Sequence, residues 1–258
     1  AAEARSEAGG LARAAARVRV LDVPELWSTF PAALTSGRAG RPPASVRIEG
    51  ADGLAIDPDG RACPFGAHET LLATFGPGPR PATLPEDGGE SWVESSRPAG
   101  EPPAFRLGPL GPELLLAFAD RLESGAVAPA PRVTGESCDE AADANWGDPR
   151  RAGPCADYFP LIYAAGDLRV DGGVGQGILV VDGDLTLDGG AEFHGPVLLT
   201  GRLRLGGDAT IQGAVTRPGD GSADVVGEGS ILYAVCSLWR AFAGSSLLER
   251  PLRPRARA

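Results

Sequence analysis

The chain has 258 residues, 37 of them glycine and 24 proline, with few aromatics and a formal net charge of −10. That acidity argues against nucleic acid as a partner, because neutralising phosphates needs a basic surface. No run approaches the roughly 18 apolar residues of a membrane-spanning helix. All 24 basic residues are arginine, and methionine is absent even at position 1, so Ala1 is expected to follow a processing or truncation point.

Residues 1–20 are rich in alanine and arginine and predict a helix with a weak point at Gly9-Gly10. Too short and polar to stand alone, it reads as the lower end of a longer stalk helix (unit 1–34), docked through Leu26, Trp27 and Phe30. Residues 35–44 read as a loop or linker. The stretch 35–133 reads as a small α+β region, with strands predicted at SVRIEG, GLAID, ETLLATF, WVES and AFRLG. Residues 112–122 (PELLLAFADRL) predict a short amphipathic helix. Pro112 and Glu113 suit its first turn, Leu114, Phe118 and Leu122 make one face, and Gly125 supplies a stop. Such a helix would cap the open first coil of a repeating domain on its C-terminal side.

From about Gly166 to Val235 the sequence repeats. Gly177, Gly195 and Gly213 fall 18 apart, and Gly166, Gly183 and Gly201 are spaced by 17 and 18. Short apolar segments recur between them, aligning Leu168, Leu185 and Leu203, then Val170, Leu187 and Leu205, then Leu179, Val197 and Val215. A coil of this length holds three short strands, and successive coils pair in parallel at about 4.8 Å. Alternate residues then form apolar stacks down the axis, which predicts a short parallel β-helix within residues 134–236 of a mainly β protein. Gln176, His194 and Gln212, each directly before a corner glycine, form a further column. An ordinary antiparallel sandwich would not explain matching at every third segment.

Cysteines stand at 63, 138, 155 and 236, with no CxxC and only two histidines in the chain, so zinc is disfavoured. Two disulfides in an oxidising compartment fit better, with three connectivities possible. Cys138–Cys155 is the first choice, because the Pro-, Gly- and Asp-rich loop between them looks otherwise unsupported. Cys63 would then pair with Cys236, and free buried thiols are the alternative. Beyond the repeat, residues 237–249 predict a helix that caps the last coil through Leu238, Trp239 and Phe242. The unit 237–258 ends in a basic, proline-broken tail.

Asp167, Asp171, Asp182, Asp184 and Asp188 crowd two adjacent coils, and such carboxylates can hold calcium or act as acid and base on a glycan. The simpler reading makes them corner residues, since the column changes to Arg202 in the next coil. His194, beside Glu192, reads as a member of the polar column before it reads as a general base. His68 has no recognisable partner. GDGSADVVGEG resembles a phosphate loop only loosely and no lysine follows it. The residues therefore predict no catalytic site, no metal and no cofactor.

The string CDEAADANWGDPRRAGPCADYFPLIYAAGDL, followed by GQGILVVDGDLTLDGGAEFHGPVLL, resembles the C-terminal region of minor pilins of the PilX type. The resemblance covers roughly 110–240. It implies a domain ending in a short β-helix and a terminal cysteine, here Cys236, behind a hydrophobic N-terminal helix. AAEARSEAGGLARAAA is similar to the helix just past that membrane segment, whose hydrophobic half and processing site are missing from this sequence. The resemblance implies a non-enzymatic, extracytoplasmic subunit at the cell surface, in a pilus or in the periplasm. Its role would lie in type IV pilus assembly, surface presentation or adhesion, its partners would be other pilin-like subunits or cell-surface components, and the membrane would be met only through the missing helix. Similar β-helix modules occur in bactofilin-like polymers. The competing expectation is a secreted β-helix protein that binds or cleaves acidic glycans.

Overall fold

The computed structural model of the chain describes residues 2–5, 11–14, 26, 29–30, 34–36, 45–50, 92–94, 105–150, 153–217 and 225–248. The N-terminal helix expected over 1–20 is not what the described residues of that stretch, 2–5 and 11–14, form. Strands β1 (Ala2–Arg5) and β2 (Leu11–Ala14) pair antiparallel, Ala2 opposite Ala14 and Arg5 opposite Leu11. Helix propensity is a weak prior over so few residues, and the Gly9-Gly10 pair lies between the two strands in sequence. Leu26 and Phe30 are fully buried, so this segment does dock on the body of the protein.

Short strands follow at β3 (Leu34–Ser36), β4 (Arg47–Gly50) and β5 (Trp92–Glu94). The second and third match SVRIEG and WVES, whereas β3 occupies the start of the expected linker. GLAID, ETLLATF, Cys63 and His68 lie outside the described residues. AFRLG makes no strand: Leu107 and Leu110 bridge each other across a tight turn, and both are fully buried.

Helix α1 (Pro112–Phe118) ends four residues before the expected boundary, and residues 121–127 form strand β6 instead. The backbone of β6 is claimed by a parallel partner, β9 (Leu161–Asp171), with Arg121 beside Ile162 and Leu122 beside Tyr163. Gly125 does not stop a helix; it sits at a register shift within this strand. Leu115 is the residue that α1 buries, while Leu114 and Leu122 are exposed, so the expected face is wrong as well as the length. A hairpin, β7 (Val133–Thr134) and β8 (Ser137–Cys138), and a 3-10 turn at Pro154–Asp157 frame the cysteine loop.

The rest is a parallel β-solenoid of about four turns. Its strands are β9, β10 (Val174–Gln176), β11 (Ile178–Val181), β12 (Leu185–Asp188), β13 (Glu192–Leu199), β14 (Leu203–Leu205), β15 (Thr210–Arg217), β16 (Val225–Gly227) and β17 (Ser230–Tyr233). Three faces run down the axis. On the first, Ile162, Leu179, Val197 and Val215 stand in one register. On the second, Leu168, Leu185, Leu203 and Val225 do so, and Val170, Leu187, Leu205 and Gly227 come two residues later. On the third, Gly175, Phe193, Ile211 and Ile231 align. Except for the glycines, all these side chains are buried, which gives one continuous apolar stack rather than separate cores.

The two ends differ. Beyond the last coil, β3 pairs with β15 (Leu34 beside Val215), β5 pairs with β3, and β4 pairs with β17 (Ile48 beside Ile231). The early segment thus supplies the next coil, and the C-terminal helix α2 (Val235–Gly244) does not cap that end. It lies along the side, against β13 and β15, with Leu238 and Phe242 fully buried and Trp239 partly so. At the first coil α1 sends Leu115 into the core. It packs beside β9, and the residues of β6 are all half-buried or exposed.

Candidate functional site

The aspartates of the repeat have a structural occupation. Asp167 Oδ1 accepts from the Asp184 N–H at 2.8 Å, and Asp184 Oδ1 accepts from the Arg202 N–H at 2.8 Å. Each carboxylate therefore ties its corner to the backbone of the next coil. Side-chain acceptors of this kind suit corners, where backbone N–H groups leave the strand ladder. The glycines at the next two turns of this corner, Gly183 and Gly201, have a matching reason. A Cβ on Gly183 would meet the Gly166 backbone, and one on Gly201 would meet Gly183 and Asp184. On the opposite corner Gly195 holds a φ of 139°, and a Cβ there would strike the Gly177 carbonyl. Asp182 receives the Thr200 hydroxyl at 3.1 Å.

Asp171 and Asp188 form an exposed charged group with Arg169, at 2.7 and 3.1 Å. The Arg169 hydrogen bond holds the Asp171 carboxyl below the usual carboxylate range, and Asp171 raises Arg169 in return. Among the described residues, no three His, Cys, Asp or Glu side chains are placed to hold a metal ion.

His194 lies between Gln176 and Gln212 in register, 3 % exposed. Its Nε2 is 3.6 Å from Glu192 Oε2, and Glu192 is also paired with Arg150. Gln176, 1 % exposed, donates its amide to the carbonyls of Cys155, Ala156 and Tyr158. This column therefore fastens the cysteine loop to the solenoid, and its histidine is shut away from solvent.

The most built region is the loop itself. Cys138 and Cys155 are disulfide-bonded. Cys236 is disulfide-bonded too, while the expected partner Cys63 lies outside the described residues. Inside the loop, Asn145 is fully buried and donates to the carbonyls of Arg132 (3.2 Å) and Asp139 (2.8 Å). Its own oxygen accepts from the Gly147 N–H. Trp146 is 1 % exposed, and its carbonyl accepts from the Gln176 N–H as a strand of the preceding coil would. The indole lies against Gly175, meets Phe193 edge-on at 6.2 Å, and donates to Glu123 on β6. The NWGDP string therefore closes the third face at the first coil, and Gly175 leaves the space the ring needs. Tyr158 completes the region by accepting from Arg121; burial pushes its phenol up, against that hydrogen bond. The sequence offers the cysteines and sets Gln176 in a polar column, but gives no role to Asn145 or Trp146. The one available signal was a large aromatic beside a turn glycine, between two cysteines, in an otherwise aromatic-poor chain.

The disulfides point to an oxidising, extracytoplasmic environment. Among the described residues no helix is long and apolar enough to cross a membrane. Compared with protein-family models, curated proteins and solved structures, the chain finds no match.

Proposed function

We propose that this chain is a non-enzymatic structural subunit of the pilin-like type, displaying a rigid solenoid at the cell surface for pilus assembly, surface presentation or adhesion. One observation carries the reading. Three of the residues whose chemistry invited a catalytic role, Asp167, Asp184 and His194, are spent on architecture. Asp167 and Asp184 brace the corners, and Gln176 holds the cysteine loop. His194 is buried within the same column as Gln176. A catalytic imidazole must instead reach substrate. The sequence resemblance to minor pilins supports the same role, and the disulfides suit the periplasm or cell surface. Its partners are other pilin-like subunits or cell-surface components.

The test is the native N-terminus of the chain in shear-released, membrane and secreted fractions of cells that make it. Recovery in sheared filaments, with an apolar processed helix running into Ala1, is the expected result. A freely secreted chain starting near Ala1 would overturn the assignment, and acidic glycan binding and cleavage would then be assayed.

A further inference from the structure

We infer that the first coil of the solenoid is a self-association surface, at which β6 pairs antiparallel with β6 of a second copy about a two-fold axis. The starting observation is an asymmetry of edges. The far end is extended by β3, β4 and β5 from the same chain, but β6 pairs only with β9 among the described residues. It is a seven-residue strand, Arg121–Val127, with Leu122, Ser124, Gly125 and Ala126 exposed and no proline. Exposed edges are normally blunted by proline, lysine, a bulge or a covering element; β6 has an irregularity only between Glu123 and Gly125, and its Arg121–Glu123 half is left as a template for another strand.

The sequence of this edge selects its own copy. Antiparallel pairing centred on Leu122 sets Leu122 against Leu122 and Arg121 against Glu123. Opposite charges and apolar pairs directly across two strands are the stabilising combinations, and a two-fold axis delivers both sets of contacts at once. Leu122 is 68 % exposed, the highest value among the exposed large apolar side chains, and Leu114 and Leu116 of the adjoining α1 are also exposed. Arg121 is held in place by Tyr158 and Ala141, and Glu123 by Trp146, so both charges are positioned before a partner arrives. The register shift between Glu123 and Gly125 limits straight pairing to the Leu122 half of the strand.

The experiment is sedimentation velocity of the full chain over a concentration series, beside two variants. The wild type should reach a dimer as concentration rises. Leu122→Lys should remain monomeric while its circular dichroism stays that of the wild type, because an exposed side chain carries little of the fold. Leu122→Cys should form a cross-linked dimer under mild oxidation, and Arg204→Cys, exposed but on β14, should not. A wild type that is monomeric throughout, or a Leu122→Lys variant that still dimerises, would overturn the inference. An Arg204→Cys cross-link as efficient as that at position 122 would do so too.

Discussion

Removing the Cys138–Cys155 bond tests whether the NWGDP loop needs a cross-link or is held by its own contacts. The perturbation is Cys138→Ala with Cys155→Ala, since a reductant would also open the bond at Cys236. The bridge joins residues 17 apart in sequence. In the chain-entropy picture, closing such a loop withdraws about 3 kcal/mol of freedom from the unfolded chain. Asn145 also loses its sulfur neighbours, at 3.3 and 3.6 Å, but keeps its two carbonyl partners. The native loop should therefore survive in the folded state. Equilibrium urea unfolding should show a loss of about 3 kcal/mol, with a steeper denaturant dependence because the uncrosslinked unfolded chain exposes more surface. Asn145→Ala with the bond intact serves as the comparison, costing about 1–3 kcal/mol through the two stranded carbonyls at unchanged slope. A loss below about 1 kcal/mol for the cysteine pair would refute the reasoning. The loop would then owe its order to Asn145 and Trp146 alone.

Gly195→Ala should cost at least about 2 kcal/mol, because the new Cβ meets the Gly177 carbonyl and the backbone has positive φ. Gly190→Ala, also at positive φ but with open space around it, should cost less in the same unfolding assay. Gln176→Leu should destabilise by about 2–3 kcal/mol, since three carbonyls lose one donor amide; faster amide exchange at Trp146 would place the damage. Asp171 should titrate below the usual carboxylate range by NMR and move up in Arg169→Gln. The sign comes from the depressed value: its contribution to stability is present above the ordinary carboxylate pKa and is lost as pH falls through the lowered one. An Asp171 that titrates normally in the wild type would remove that pair from the account.

The repeat from Gly166 to Val235 made the solenoid legible because each coil obeys the same local constraints. Glycine is required where a neighbouring coil's backbone leaves no room for a Cβ, and apolar residues recur where the axis is dry. A period of 17 or 18 therefore encodes both the strand positions and their partners, and the strands pair in that register. The Cys138–Cys155 bond was legible because the stretch between them is rich in Pro, Gly and Asp and reads as unsupported without a cross-link.

Only the tertiary structure decided what non-repeating segments do. Leu34–Ser36 and Arg47–Gly50 are too short to announce a partner, yet they continue the coil beyond β15 and β17 because those strands offer an open parallel edge. The same force shortened α1: Arg121 and Leu122 read as the end of a helix until β9 supplied a ladder for residues 121–127. It also left α2 free to bury Leu238 and Phe242 along the side of the solenoid, since the end was already occupied. Trp146 reads as a loop residue by its neighbours, and only the gap above Gly175 makes it the closing member of the third face. Local sequence determines where strands and corners fall wherever the pattern repeats. Which chain segment completes each end depends on unsatisfied backbone edges, which exist only once the coils have formed.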